Sequence, residues 1–523
     1  MPSSAPARGE GVPVASPSVP EPDERRLPRA RAVAVLAVLG AVGLVMRAWV
    51  LQTPLGVLNA DEAYVGLEAY EVLHGRMPVV ISGLNYTAIF EAYLFAPFVA
   101  VFGYHVVPLK LLFTAIWAGA ALVTAALTRR VLDRRAGWVA GALVWLAPGA
   151  LLVVSTRAYP AYALGVLVSA LAIWACAVVV DADPPSPWRS AVTGFVLGLA
   201  VYLHPMYLAV AAPLAVVVGL RFARRWRQWW LPAGAGAVAA NVPFLLWNAV
   251  NSWPSAEAPV VGDSTYLDRL AGYFTGLFPR ALGLRSLDGE WILSRPIGIA
   301  LYVAVLALGA AGAVALMRRV PRWPGATVVA PVLAGPLVLA GFANTSFVLD
   351  GRYAAVVLCP AAVLIAAGVG QVLDALAARR APRPLPVAAL ATAGVLAWVG
   401  LFAVPYVGRA GASWTELADP NEHVDQIVAR LQEAGIDRVA GYYWLVLPIE
   451  YVSDRTIRVA VAGHPFMMRF PDTQRLVEGT PPERVAFVTE LDVEDTSLLW
   501  LPLERYEREV IGSAVIYIPR DSG

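Results

Sequence analysis

The segment LNADEAYVGLEAYEVLHGRMPVVISGLNYTAIFEAYLFAPFVAVFG, residues 58–103, decides the fold prediction because of its position in the chain. It separates an apolar run at 32–51 from a second apolar run at 106–127, and each run is long enough to cross a bilayer. An acidic pair, Asp61 and Glu62, stands near its start. The segment therefore predicts a large loop that follows a first membrane span and holds carboxylates close to the membrane surface.

The composition indicates a polytopic membrane protein. Of 523 residues, 58% are hydrophobic and 15% are charged, whereas an ordinary soluble domain has about 25% charged residues. The net charge of +2 gives no reason to expect a nucleic-acid partner. Cys176 and Cys359 lie far apart within apolar stretches, which argues against a disulfide or a cysteine metal site.

The apolar runs predict about eleven spans between residues 30 and 406, behind a disordered cytoplasmic tail at 1–29. The first span is predicted at 32–51 and is retained, because no cleavage pattern of a signal peptide follows it. The remaining spans are predicted near 106–127, 136–155, 160–180, 190–204, 206–220, 229–249, 296–317, 325–343, 353–373 and 386–406.

Arginine-rich segments predict the orientation of these spans. TRRVLDRR (128–135), RFARRWR (221–227), RRVPR (318–322) and RRAPR (379–383) must lie on one side under the positive-inside rule. That requires residues 190–220 to form a hairpin that turns at His204-Pro205. The N-terminus is then cytoplasmic, and the loops at 52–105 and 250–295 face outward together with the C-terminal region.

The C-terminal region, residues 415–523, predicts a small extracytoplasmic α/β domain. An amphipathic helix is expected after AspProAsnGlu (419–422), with Val424, Ile427, Val428 and Leu431 on its apolar face. Short strands are expected in RVAGYYW, TIRVAVAG, RVAFVTE and SAVIYIP. No catalytic signature stands out in this domain, which favours a cap or recognition module over a reaction centre.

The first loop holds two candidate carboxylate sites. Asp61 and Glu62 begin an amphipathic helix, and Asn59 with Glu62 three residues later has the pattern of a capping box. Helix capping alone explains this pair, although it also fixes a carboxylate just outside a span. Glu91 is the only charge in a seventeen-residue apolar stretch, so a functional role or a specific partner is expected for it. The alternative is a short interfacial helix with Glu91 pointing to water.

Three further polar residues are predicted at outward turns. Arg157 and Arg352 run against the charge bias of that side, and a guanidinium suits phosphate through its planar set of donors. Anchoring of lipid headgroups is the alternative explanation. His204, at the tip of the hairpin, is either structural or a functional residue that donates to a phosphate or ligates a metal. The predicted topology brings these residues together with Asp61 and Glu91 at one interface.

The motifs in these segments resemble GT-C membrane glycosyltransferases, especially the protein O-mannosyltransferase and aminoarabinose transferase group. The resemblance rests on the acidic pair after the first span, on Tyr86 five residues before Glu91-Ala-Tyr-Leu-x-Ala-Pro, and on two arginine motifs. These are Arg157-x-Tyr159 and Arg352-Tyr353. The resemblance covers roughly residues 30–375. Glu-Ala-Tyr stands at 91–93 where the aminoarabinose enzymes have Glu-Lys-Pro.

The resemblance implies a polytopic helical GT-C fold and an inverting transfer of a sugar from a polyprenyl-phosphate donor to an acceptor hydroxyl. Asp61 is expected to be the general base, with Glu62 beside it in the catalytic site. Substrate contacts are expected from seven residues: Tyr86, Glu91, Arg157, Tyr159, His204, Arg352 and Tyr353.

The partners expected from this resemblance are a polyprenyl-phosphate sugar in the bilayer and a glycan, lipid or protein acceptor, in the plasma membrane. No cofactor is expected, and a divalent metal is not favoured because the turn STRAYP carries no carboxylate. Two alternatives stay open. One is a transporter or lipid flippase, and the other is an inactive member that binds cell-envelope polymer.

Overall fold

The computed structural model describes residues 29–257, 264–286, 289–319, 322–342, 351–379, 387–409, 420–463, 467–491 and 503–520. The predicted tail therefore lies outside the described residues except for Arg29, where the first helix begins. The helices of the N-terminal part are α1 Arg29–Leu51, α2 Ala60–Leu73, α3 Phe90–Phe102, α4 Val106–Val131, α5 Arg134–Trp145, α6 Gly149–Val154, α7 Tyr162–Val180, α8 Pro187–Leu203, α9 Leu208–Arg221, α10 Leu231–Val250, α11 Tyr266–Gly272, α12 Phe278–Ala281, α13 Arg295–Arg319, α14 Arg322–Leu339, α15 Leu358–Arg379 and α16 Val387–Trp398.

The helices identify a multi-pass membrane protein. Among the described residues, seven helices are long and apolar enough to cross a bilayer, and three shorter apolar helices lie at Phe90–Phe102, Pro205–Arg221 and Ala393–Arg409. The total of eleven spans stays a prediction. The span predicted at 136–155 is not one continuous helix, because α5 ends at Trp145 and α6 begins only after Pro148. A proline has no N–H to continue the helical hydrogen bonds, which explains the break.

The hairpin predicted at His204-Pro205 is confirmed by contacts at the far ends of its two helices. Arg225, just past the end of α9, pairs with Asp183 at 3.0 Å, next to the start of α8. Arg130 at the end of α4 pairs with Asp181 at 2.6 Å. The ends of α4, α7 and α9 therefore meet on one arginine-rich side. The opposite ends of these helices carry the residues predicted to form the site.

Helix α2 begins in the way its sequence predicts. The Asn59 N–H donates to Glu62 Oε2 at 3.1 Å, and Asn59 Oδ1 accepts from the Asp61 N–H at 2.9 Å. This reciprocal cap satisfies amide groups that the first turn of a helix otherwise leaves without partners. The cap fixes the direction in which the Asp61 side chain projects from the first turn of the helix.

The C-terminal domain is a small α/β sheet domain, as predicted. It contains α17 Val424–Glu433, β1 Arg438–Gly441, α18 Tyr443–Val452, β2 Arg458–Val461, α19 Pro471–Glu478, β3 Ala486–Glu490, β4 Tyr506–Ile511 and β5 Ala514–Pro519. The strand order is β2-β1-β3-β5-β4, with β1 parallel to β2 and β3 and with β5 antiparallel to its neighbours. All four predicted apolar positions of α17 are buried.

Two details of the domain differ from the sequence prediction. The expected strand RVAGYYW ends at Gly441, and Tyr443 instead begins the buried helix α18. Strand β4, YEREVI, was not expected, because three charged residues hide its apolar alternation. It is an edge strand with exposed charges, and such charges discourage pairing with another sheet edge.

The C-terminal domain packs against the membrane part through α18 and α2. Arg455 pairs with Glu71 of α2 at 2.6 Å, and Tyr451 Oη donates to the His105 carbonyl at 3.2 Å. Gly66 faces the Tyr451 ring so closely that a Cβ at Gly66 would overlap it. The two parts therefore share one buried interface, and the absence of a side chain at Gly66 is what allows the close approach.

We expect Gly66→Ala to lower the thermal unfolding midpoint, because overpacking a filled interface costs about 1–3 kcal/mol. The matched control is Gly40→Ala in α1, where nothing lies within 4 Å of the added methyl group. Because alanine has the higher helix propensity, this control is expected to leave the midpoint unchanged or raise it slightly. Equal midpoints for the two variants would contradict the proposed packing.

Candidate active site

The predicted site residues lie around one short segment, TRAYPAY at 156–162, which connects α6 to α7. Ala161 adopts a left-handed φ of 68°, which is uncommon for a residue with a side chain. Its N–H donates to Glu91 Oε1 at 2.7 Å, and its carbonyl accepts from Tyr207 Oη at 2.8 Å. These two bonds hold the strained turn in place.

Asp61 lies at the start of α2 and is partly accessible. Its Oδ2 is 3.8 Å from Arg352 Nη1, with side-chain exposures of 21% for the acid and 20% for the arginine. Its Oδ1 accepts a hydrogen bond of 2.8 Å from Tyr443 Oη of the C-terminal domain. Asp61 therefore lies at a partly exposed position, the opening, where Arg352 from a distant part of the chain and Tyr443 from another domain converge.

Glu62 has a different environment, although it is adjacent in sequence. Its side chain is fully buried, and both oxygens accept from Lys110 Nζ, at 2.8 and 2.9 Å. The Ala158 N–H donates to Oε1 at 2.8 Å, and the Asn59 N–H donates to Oε2. These bonds engage both oxygens within the protein. Glu62 thus connects α2, α4 and the turn that leads into α7.

Arg157 and Tyr159 form a buried support behind the opening. Arg157 is 3% exposed, and it donates to the Leu55 carbonyl at 2.8 Å and to Tyr159 Oη at 3.0 Å. Its guanidinium therefore ties the start of α7 to the connection between α1 and α2. Arg352 contacts Tyr159, with its guanidinium carbon 5.0 Å from the centre of the Tyr159 ring.

Arg352 is placed by its local backbone. Gly351 adopts a left-handed φ of 77° just before the 3₁₀ turn Arg352–Val357, and a Cβ at Gly351 would meet the backbone of Ala281. The guanidinium of Arg352 also lies 5.3 Å from the centre of the Tyr162 ring. Contact with aromatic faces favours arginine over a point charge such as lysine.

Aromatic residues continue the wall of the site from Arg352. The ring centres of Tyr162 and Tyr353 are 6.0 Å apart, those of Tyr353 and His204 are 6.3 Å apart, and those of His204 and Tyr86 are 5.7 Å apart. Burial and then the nearby charge of Arg352 lower the pKa of His204 to about 3. His204 is therefore neutral at physiological pH, and its Nδ1 accepts from the Met206 N–H.

The structure thus brings all nine predicted residues to one end of the helix bundle, in three different environments. Asp61 and Arg352 are partly exposed, whereas Glu62, Glu91 and Arg157 are buried and hydrogen-bonded within the protein. The remaining four, Tyr86, Tyr159, His204 and Tyr353, form aromatic contacts along the wall.

Sequence reasoning missed four residues of this region: Lys110, Tyr162, Tyr443 and Arg469. Lys110 had a clear signal, because it is the sole lysine among 523 residues and lies in an apolar run. A lone cation at such a position predicts a buried acidic partner. Tyr443 and Arg469 had no comparable signal, since only the packing of the C-terminal domain brings them to Asp61.

Within the part of the chain that the structure describes, no group of three or more His, Cys, Asp or Glu residues has a geometry suited to holding a metal ion. Of the acids near the opening, Glu62 is engaged by Lys110 and Glu91 by the Ala161 N–H. Independence of a metal stays a prediction.

We expect Lys110→Met to destabilise the protein strongly, because removing one partner of a buried ion pair costs about 3–5 kcal/mol. The double variant Glu62→Gln, Lys110→Met should recover part of the loss, since no uncompensated charge then remains. The control is Arg475→Gln, which breaks an ion pair with 75% and 76% exposed side chains and should leave the unfolding midpoint unchanged. Equal midpoints for Lys110→Met and the control would disprove this account.

Comparison with known proteins supports the fold by shape rather than by sequence. No protein-family model matches the chain, and no curated protein matches it. ArnT from Cupriavidus metallidurans bound to undecaprenyl phosphate matches with a TM-score of 0.58 and 13% identity, over 93% of this chain and 98% of that one. ArnT in the apo state matches with a TM-score of 0.59 and 14% identity over the same shares.

A further match is the archaeal oligosaccharyltransferase AglB from Archaeoglobus fulgidus, in complex with an inhibitory peptide and a dolichol-phosphate. It has a TM-score of 0.48 and 16% identity, over 88% of this chain and 69% of that one. The agreement with ArnT extends over nearly the full length of both chains. The chain is therefore a multi-pass membrane protein with the GT-C fold, as the motifs of its first loop predicted.

Proposed function

We propose that this chain is an inverting glycosyltransferase that moves a sugar from a polyprenyl-phosphate donor to an acceptor hydroxyl at the outer face of the membrane. The observation that carries the proposal is the contact of Asp61 Oδ2 with Arg352 Nη1 at 3.8 Å, at a partly exposed opening. A carboxylate can take the proton of a hydroxyl, and a guanidinium can hold a phosphate. Both groups are required by this one reaction.

Arg352 is the proposed phosphate-binding residue. In the structure it pairs with Asp61 across 3.8 Å, a distance longer than a direct hydrogen bond. A donor phosphate offers the guanidinium a better acceptor, with two oxygens in the plane of its donors. Binding of the donor therefore draws Arg352 away from Asp61 and leaves Oδ2 available to the acceptor hydroxyl.

Asp61 is the proposed general base. As the acceptor oxygen forms its bond to the anomeric carbon, the bond from that carbon to the phosphate oxygen breaks, and the hydroxyl proton passes to Asp61. The lipid phosphate leaves as a stable anion and needs no proton. Attack opposite the leaving group inverts the anomeric configuration, and the charge of Arg352 offsets the charge that develops on the phosphate.

Glu62, Glu91 and Arg157 are proposed to position the reacting groups rather than to touch substrate. Each is buried and makes hydrogen bonds within the protein. Tyr86, Tyr353 and His204 are proposed to line the sugar site, because their rings follow Arg352 along one wall. The substrate contact that the resemblance implied for Glu91 is replaced in this proposal by support of the Ala161 turn.

The sidedness of the reaction is proposed from the charge distribution. The arginine-rich ends of α4 and α9 lie on the side opposite to Asp61, and the positive-inside rule assigns arginine-rich connections to the cytoplasm. The site and the C-terminal domain then face outward. In this arrangement the polyprenyl chain of the donor stays in the bilayer while its sugar reaches Asp61.

Asp61→Asn is expected to lower sugar transfer by about 10²- to 10⁴-fold, the usual contribution of a general base. Asp61→Asn should still bind polyprenyl phosphate, and this binding is measured as the rise in the unfolding midpoint that the lipid phosphate causes. The assay incubates purified protein with polyprenyl-phosphate hexoses and pentoses and with glycan, lipid and peptide acceptors. Equal transfer by wild type and Asp61→Asn, or no transfer by wild type from any donor, would refute the mechanism. The second result would favour a transporter or a binding protein.

Arg352→Lys is expected to lower kcat by about 10²-fold or more, because lysine retains the charge but loses the planar pair of donors. The matched control is Arg225→Lys, an arginine that pairs with Asp183 at the opposite end of the bundle. Rates are measured with and without a chelator, which should leave wild-type activity unchanged if no metal takes part. An equal loss in both variants would exclude a specific role of Arg352.

A further inference from the structure

The C-terminal domain contributes a side chain to the immediate surroundings of Asp61, although its sequence carries no catalytic signature. Tyr443 is the first residue of α18 and is 2% exposed, and its hydroxyl donates to Asp61 Oδ1 at 2.8 Å. Burial, and then the negative charge of Asp61, raise the pKa of Tyr443 well above its usual value. The phenol therefore keeps its proton and remains a hydrogen-bond donor.

Arg469 of the same domain lies behind Tyr443. It is 4% exposed, and its guanidinium hydrogen-bonds the Tyr443 hydroxyl and lies 5.2 Å from the centre of the Tyr443 ring. It also donates to the carbonyl of Ser82 in the first loop at 2.8 Å. A cation that donates to a phenol oxygen polarises the phenol and strengthens the bond that the phenol donates in turn.

The two carboxylate oxygens of Asp61 thus have different partners, which come from different parts of the chain. Oδ1 is held by Tyr443, a group that does not ionise near neutral pH, whereas Oδ2 faces Arg352, which a phosphate can engage. Among the described residues, the charged and titratable groups that interact with Asp61 include Arg352, Arg469 and Tyr443. The Oδ2 atom is the one that faces Arg352, the proposed phosphate-binding residue.

We propose that the C-terminal domain completes the catalytic centre, with Tyr443, supported by Arg469, as a positioning residue that holds Asp61 so that Oδ2 receives the acceptor proton. This inference rests on the proposed function and adds to it the identity of the reacting oxygen and the role of the domain. A loosely held carboxylate would sample orientations in which neither oxygen faces the acceptor. One charge-assisted hydrogen bond removes much of that freedom.

The test compares Tyr443→Phe with Tyr451→Phe. Both tyrosines belong to α18, both are buried, and each donates one hydrogen bond across the same interface. Tyr451, however, donates to the His105 carbonyl rather than to Asp61. Loss of domain packing alone would affect both variants in a similar way.

Tyr443→Phe is expected to lower kcat by about ten- to a hundredfold, the effect of one hydrogen bond to a charged group, while KM for the polyprenyl-phosphate donor stays unchanged. Tyr451→Phe should keep both the kcat and the KM of the wild type.

Unchanged kcat in Tyr443→Phe, or the same change in both variants, would overturn the inference. If Tyr443→Phe lowers the amount of folded protein, kcat is referred to the folded fraction, and a loss of kcat that persists at unchanged KM still supports the inference. Wild-type protein that transfers no sugar overturns the proposed function and the inference together. Active wild type with an equally active Tyr443→Phe overturns the inference alone.

Discussion

The buried pair of Glu62 and Lys110 is the interaction on which the geometry of the candidate site depends. Each charge would be costly to bury alone, so the two must remain together. Glu62 also accepts a hydrogen bond from the Ala158 N–H and thereby fixes the turn that carries Arg157 and Tyr159. One carboxylate consequently sets the relative positions of α2, α4 and the start of α7, and Asp61 is the residue immediately before it.

This arrangement separates two neighbouring acids by environment. Glu62 is fully buried with its lysine, while Asp61 is one-fifth exposed beside an arginine. Glu62 is held inside the protein by Lys110 and by backbone N–H groups, whereas Asp61 stays partly accessible, as its proposed role as general base requires. The cap at Asn59 bonds both the Glu62 side chain and the Asp61 N–H, so the fixed position of Glu62 also restrains the backbone of Asp61.

The C-terminal domain is attached by a second set of polar contacts that surround an apolar interface. Arg455, in the turn after α18, engages Glu71 of α2 and Glu450 of α18. Burial raises the pKa of Glu450, while Arg455 and Arg458 oppose that rise. The helix that forms this attachment also carries Tyr443 to Asp61. Docking and site assembly are therefore coupled through one helix.

The sequence by itself determined the class of the protein, the hairpin at His204-Pro205, the cap of α2 and the gathering of distant polar residues at one interface. These follow from local rules, because hydropathy, arginine distribution and capping patterns act over a few residues. Tertiary structure decided which acid is buried, that Lys110 is the partner of Glu62, and that Tyr443 reaches Asp61. Positions 61 and 443 are brought together by the packing of two domains, and neither position carries a local signal of the other. The physical reason is that burial and pairing depend on the side chains that surround a residue in space, which its neighbours in sequence do not specify.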